Sequence, residues 1–213
     1  MFRGVVSFIS FLILPIYGLS LYWQLGSIPD LGGTVFWFLA GALILGIVYL
    51  WARPSYILLV FLHEFNHAII GWLMGARIRS LEASDTIGGA VRYDFDYKWG
   101  KEIISLAPYF FQPITLLFVG IKAISQEAFD PLVCFLIGIT WAWFCFDLGT
   151  TLQAPQTDIS KTGALFSWLV IVAANLLLSG IVLCSVSPQT SISGFLLGGP
   201  KQVWSYGIEF WVG

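Results

Sequence analysis

The residues best suited to chemistry form one short motif, in which residues 62–68 read Leu-His-Glu-Phe-Asn-His-Ala. His63 and His67 are the only two histidines in the sequence. Residues four apart share one face of a helix, so both imidazoles can point at the same centre. Two such imidazoles bind a divalent cation, and Glu64 can reach a water held by that cation. The motif predicts a zinc site with His63 and His67 as ligands and Glu64 as general base.

The motif lies inside an apolar stretch that runs from Ser55 to Gly75 and is long enough to cross a bilayer. An ionisable side chain within such a span is costly and indicates function by default. A chain of this length contains the motif by chance in roughly one case in a hundred or fewer. The alternative is a pair of core histidines and a glutamate that neighbouring helices satisfy.

The composition excludes an ordinary water-soluble domain. Of the 213 residues, 58% are hydrophobic and 10% are charged, and the mean hydropathy is +0.85. Soluble domains carry roughly 25% charged residues. The net charge of −2 gives no electrostatic basis for binding nucleic acid. The three cysteines, an odd number within apolar stretches, are interpreted as packing residues rather than disulfides.

These features predict an all-α integral membrane bundle, because a span takes about 20 apolar residues. Six spans are expected, at about Val5–Gln24, Thr34–Trp51, Ser55–Gly75, Ile103–Ala123, Pro131–Leu148 and Ala164–Val186. The first is expected to be retained, since no small-residue cleavage site precedes a soluble domain. We divide the chain into two N-terminal helices (1–52), a metal-binding core (53–186) and an aromatic tail at the membrane interface (187–213).

A β-hairpin is expected after the motif helix. Apolar and polar residues alternate over 77–97, around a turn at Asp85–Gly89. A solvated connecting loop is the alternative. If the hairpin forms, an edge strand beside the metal site can pair with an extended substrate.

A catalytic zinc usually has three protein ligands and one open position. With no third histidine, the third ligand must be a carboxylate or a cysteine. Asp147 ends the fifth span and Asp158 precedes the sixth, and both lie on the side toward which the motif helix runs. Cys145 is a further candidate.

Three more polar side chains lie within the spans, and their roles stay open. Asn175 can stabilise an oxyanion or hold a ligand, although an interhelical hydrogen bond is the favoured interpretation. The same two interpretations apply to Gln112 and Thr115.

The motif in its apolar helix resembles the site-2 protease family of intramembrane zinc metalloproteases. In that family the third ligand is an aspartate in a Pro-containing, membrane-dipping stretch, followed by glycine and another helix. Residues 153–158, with Gly163 and an apolar helix after them, are similar in layout, so the resemblance implies Asp158 as the third ligand. Asp147, within Phe-Asp-Leu-Gly at 146–149, is the competing match. The resemblance covers about residues 55–180, including Ala107-Pro108.

What the resemblance implies is zinc-dependent hydrolysis of peptide bonds in transmembrane or membrane-associated proteins. No separate peptide-binding module is visible, so substrate selection rests on the membrane part or on a partner. One alternative is a metal-binding scaffold or chaperone that does not cleave, although ligation alone does not need Glu64. Another is a metal or proton transporter, although the internal symmetry typical of transporters is not visible.

Lysines and arginines indicate an orientation in a cell membrane. Alternating six spans groups six of them on one side, and positive residues favour the cytoplasm: Arg77, Arg79, Arg92, Lys98, Lys101 and Lys161. The hairpin and the Asp158 loop, and with them the active site, are therefore expected near the cytoplasmic side.

Overall fold

The computed structural model describes residues 2–28, 33–52, 55–84, 88–153 and 156–212. Two short 3-10 turns, Ala107–Tyr109 and Glu127–Phe129, precede helices. Within the described ranges the helices and strands, in chain order, are α1 Phe2–Gly26, α2 Gly33–Trp51, α3 Tyr56–Leu73, β1 Arg77–Ser84, β2 Gly88–Asp94, α4 Lys98–Leu106, α5 Pro113–Ile124, α6 Asp130–Gln153, α7 Thr157–Thr162, α8 Ala164–Val186 and α9 Ile192–Val212.

Five helices, α1, α2, α3, α6 and α8, are long and apolar enough to cross a membrane. The predicted helical membrane bundle is therefore confirmed. The fourth span was expected as one bent helix, but the structure has two helical segments there. The chain turns by 81° between Gly100–Tyr109 and Pro113–Ile124. Pro108 and Pro113 explain the break, since proline lacks an N–H donor and disfavours helix in the residue before it.

Helices α2 and α6 pack backbone to backbone through two glycines. A Cβ atom on Gly41 would overlap the carbonyl oxygen of Phe135, and one on Gly138 would overlap that of Phe38. Small residues permit this close approach, which membrane helices use because lipid gives them no hydrophobic drive to associate. This close contact packs α2 against α6, and the end of α6 at Gln153 comes shortly before α7, the helix that carries Asp158.

The C-terminal segment is a helix that joins the bundle. Phe195 is fully buried against Gly180 of α8, and Ser20 of α1 donates a hydrogen bond to the Phe195 carbonyl at 2.8 Å. The first turns of α9 thus differ from the expected interfacial tail, because Phe195 fills a gap that the missing side chain of Gly180 leaves. Trp204, further along, is exposed, whereas the side chains of 206–212 lie outside the description.

The hairpin after α3 is confirmed. Strands β1 and β2 pair antiparallel from Arg77↔Asp94 to Ser84↔Gly88, with an irregularity between Ile78 and Ser80. Residues 85–87 of the expected turn lie outside the described residues, and pairing ends at Asp94 rather than at residue 97. Both strands lie along α3, so the hairpin runs beside the motif helix.

Candidate metal centre

The two histidines of α3 lie side by side, with their ring centroids 5.0 Å apart. His67 is buried, and its Nδ1 lies 2.7 Å from the carbonyl oxygen of Ile104 at the end of α4. A carbonyl only accepts, so His67 Nδ1 carries a proton, and Nε2, which faces Asp158, is the nitrogen that can bind a metal once it is deprotonated. Metal-binding histidines are typically held in this way, with the second ring nitrogen bonded to an oxygen.

Asp158 of α7 completes a triangle of ligand atoms. Its Oδ2 lies 3.8 Å from His63 Nε2 and 3.5 Å from His67 Nε2, and the three ligand atoms all lie within 4.8 Å of one another. Ligands about 2.0–2.1 Å from a tetrahedral zinc are about 3.3 Å apart. The two distances to Asp158 are close to this value, whereas a separation of 4.8 Å would have to shorten on metal binding, because two ligands of one zinc are at most about 4.2 Å apart. The donor set itself, two imidazole nitrogens and one carboxylate oxygen, is one that zinc binds.

The carboxyl of Asp158 is held in its charged form. Burial alone would raise the pKa of this carboxyl, but hydrogen bonds and charges from the imidazoles of His63 and His67 hold the pKa well below its usual range. Burial, and secondarily the charge of Asp158, raises the pKa of Tyr93 on β2, which keeps that phenol neutral. An ionised carboxylate is the form that binds a metal.

Hydrogen bonds within α7 hold the backbone of Asp158 in place. The Thr162 hydroxyl donates to the Asp158 carbonyl at 2.7 Å and lies 2.5 Å from the hydroxyl of Ser167 in α8. Gly163 joins α7 to α8 with a φ of +95°, a left-handed conformation that favours glycine. The backbone of α7 is thereby tied to the start of α8.

Gln156 links the Asp158 segment to two other elements. Its Nε2 donates to the Thr151 carbonyl at 2.6 Å, and its Oε1 accepts from the Tyr109 hydroxyl at 3.0 Å. The ring of Tyr109 lies edge-on to His63, with centroids 5.6 Å apart. Gln156 and Tyr109 therefore brace the side of the centre occupied by His63 and Asp158. Neither was predicted, since an isolated polar side chain in a sequence gives no signal of its partners.

Glu64 lies beside the triangle, on the side of the hairpin. Its side chain is buried, and a Cβ atom on Gly89 of β2 would overlap it. The motif residues, β2, the end of α6 and the start of α7 enclose a cleft of about 340 Å³. The cleft is open to the surroundings, and Glu64 is among the residues that line it.

The other candidate ligands lie away from this triangle. Helix α6 continues to Gln153 instead of ending at Leu148, which places Asp147 inside the helix, on a different cavity. Cys145, on the same helix, is exposed. Within the described residues, the His/Cys/Asp/Glu cluster near the motif consists of His63, His67 and Asp158.

The three polar residues within the spans lie outside the cleft of Glu64. Asn175 donates from Nδ2 to the Tyr109 carbonyl at 2.7 Å and to the Ile171 carbonyl at 2.9 Å, which confirms the interhelical hydrogen bond. Gln112 and Thr115 are buried beside the same cavity as Asp147, not in the cleft of Glu64.

A protein-family model described as Peptidase M50B-like matches residues 34–197. No curated protein and no solved structure gives a significant match. The matched range is longer than the 55–180 of the sequence resemblance, and it includes α2 and the buried first turns of α9. Both segments pack closely against the core helices, so their inclusion has a structural reason. The chain therefore belongs to the Peptidase M50B-like family.

Proposed function

We propose that this protein is an intramembrane zinc metalloendopeptidase that hydrolyses peptide bonds of membrane-associated proteins. Membership of the family implies a membrane metallopeptidase. The observation that carries the finer proposal is the convergence of His63, His67 and Asp158, with ligand atoms within 4.8 Å of one another and Glu64 beside them. The cytoplasmic orientation of the cleft remains a prediction from the distribution of lysines and arginines.

Zinc fits the donor set of this centre. Two imidazole nitrogens and a carboxylate are a common set for catalytic zinc, whereas magnesium and calcium prefer oxygen ligands throughout. Zinc bound there would supply Lewis acidity, polarising a carbonyl group and lowering the pKa of water. His67 is oriented for this role by the Ile104 carbonyl, and Asp158 by the α7 hydrogen bonds.

Glu64 performs the proton transfers in the proposed reaction. It accepts a proton from the attacking water and then donates that proton to the leaving amine as the peptide bond breaks. Its position beside the ligands, within a cleft that β2 borders, supports this role. A metal-binding scaffold would not need a glutamate at this place.

Strand β2 is the element that we expect to hold the substrate. A transmembrane helix keeps its carbonyls in internal hydrogen bonds and must unwind before a nucleophile can reach one. An unwound segment can pair with the edge of a sheet. One edge of β2 pairs with β1, and its first residues, Gly88 and Gly89, border the cleft with Glu64.

Replacing Glu64 by glutamine tests the proposed function. The amide cannot accept the proton, so cleavage should fall by about 10²–10⁴-fold while bound zinc is unchanged. The measurement is mass spectrometry of a library of synthetic transmembrane peptides incubated with reconstituted protein, together with metal analysis. Wild-type rates in Glu64→Gln, or no cleavage by the zinc-loaded wild type, would contradict the proposal.

A further inference from the structure

A second, smaller cavity lies within the membrane-spanning bundle, between α3, the start of α5 and α6. Its volume is about 50 Å³, and its lining includes Asn66, Gln112, Trp143 and Asp147. None of the three proposed metal ligands lines this cavity. The cavity is nevertheless close to the metal centre, because Asn66, which lines it, is the residue before His67 on α3.

Polar groups around this cavity lack hydrogen-bond partners in the described part of the chain. Gln112 is 2% exposed, and both its Nε2 and its Oε1 are buried without a partner there. The same holds for Trp143 Nε1. Asp147, which also lines the cavity, is 8% exposed. Buried polar groups are nearly always satisfied, so these groups indicate a ligand.

The chemistry of the lining identifies that ligand as water. Trp143 and the Gln112 amide nitrogen are donors, whereas the Gln112 oxygen and the Asp147 carboxylate are acceptors. A cation would leave the donors unpaired, and an anion would be repelled by Asp147. One water molecule needs roughly 10–15 Å³ of cavity, so a cavity of about 50 Å³ accommodates at least one.

We propose that this partly open cavity is a hydration site between the helices, in which water is bound by Gln112, Trp143 and Asp147. One turn along α6 from Asp147, the side chains of Thr150 and Thr151 line the metal cleft. The site therefore keeps water inside the bundle, next to the place where hydrolysis consumes it. This role rests on the proposed function, whereas the binding of water does not.

Hydroxyl-radical footprinting of the whole protein in lipid nanodiscs tests the site, because radicals formed from bound water modify the side chains around it. Phe144 lines the cavity and Phe166 lies in a packed core cluster, and each is 7% exposed. We expect Phe144 to be modified severalfold faster than Phe166. Equal rates would overturn the proposal.

Variants of the lining separate bound water from a local packing defect. Gln112→Met and Asp147→Leu should lower the Phe144 rate to that of Phe166, whereas Asp147→Asn, which still forms hydrogen bonds, should preserve it. An unchanged Phe144 rate in both apolar variants would overturn the assignment. So would a melting temperature that depends on sodium in the wild type and not in Asp147→Leu, because the ligand would then be a cation. Zinc content, measured alongside, reports that the fold is intact independently of peptidase activity.

Discussion

Asp158 and Asp147 lie close in the sequence but face different parts of the molecule. Asp158 is carried by the short α7 segment and points its carboxylate at two imidazoles. Asp147 is fixed inside α6, where the helix continues past Leu148 to Gln153. The position of each carboxylate thus depends on the helix that carries it. We therefore expect replacement of Asp158 to affect metal binding and replacement of Asp147 to leave it unchanged.

Asp158→Ala should lose most of the bound zinc. Removing a residue that only hydrogen-bonds to a metal ligand costs about 10–100-fold in metal affinity, and removing a ligand itself should cost more. Asp147→Ala is the matched control and should keep the zinc content of the wild type. Metal analysis of the purified variants measures both, and the reverse result would make Asp147 the third ligand.

At the residue scale, the sequence predicts those roles that depend on fixed spacing. His63, Glu64 and His67 share one helix, so their spacing alone brings them together. Asp158 was favoured over Asp147 by the layout of the segment around it. Gln156 and Tyr109 could not be predicted, because their contact joins residues 47 apart through the fold.

Among the elements, the α2–α6 pair shows how glycine determines packing. Gly138→Ala places a methyl group against the Phe38 carbonyl and should destabilise the protein by about 1–3 kcal/mol, the usual cost of overpacking. Gly46→Ala, on α2, is the control, since its Cβ would lie 3.7 Å from the nearest Phe146 atom, an ordinary contact. Thermal unfolding in detergent measures the difference, and equal melting temperatures would contradict the prediction.

The hairpin carries a second prediction at this scale. Gly89→Ala places a methyl group where the Glu64 side chain lies, so strand or glutamate must shift. Peptide cleavage should fall at least tenfold, since misplacement by about 1 Å can cost about 100-fold. Zinc content should be unchanged, because no ligand moves. Cleavage at the wild-type rate would show that β2 does not need its close approach to Glu64.

Element types were more predictable than the angles between them. Hydrophobic length identified the spans, and alternation identified the hairpin. The 81° turn between α4 and α5 was foreseen only as a bend, because two prolines break a helix without fixing the angle. The burial of Phe195 depends on a gap at Gly180, which no local pattern reveals.

For the whole molecule, the proposed metal centre would join α3 to α7, so removing the metal should loosen the connection between two distant parts of the chain. A ligand at 100 times its dissociation constant stabilises the folded state by about 2.7 kcal/mol. A chelator should therefore lower the melting temperature and abolish cleavage, and zinc, but not magnesium, should restore both. The double variant His63→Ala, His67→Ala should not respond to the chelator. An equal response there would place the metal elsewhere.

The long interval between His63 and Asp158 has a consequence for biosynthesis. A nascent chain inserts its N-terminal helices first, and while Asp158 is still in the ribosome the two imidazoles lack their carboxylate partner. Under the proposed function, Glu64 then lies beside an incomplete centre, and a half-made protein should not cleave neighbouring chains at the translocon. Proteolytic competence would arise only after α7 has left the ribosome and joined α3.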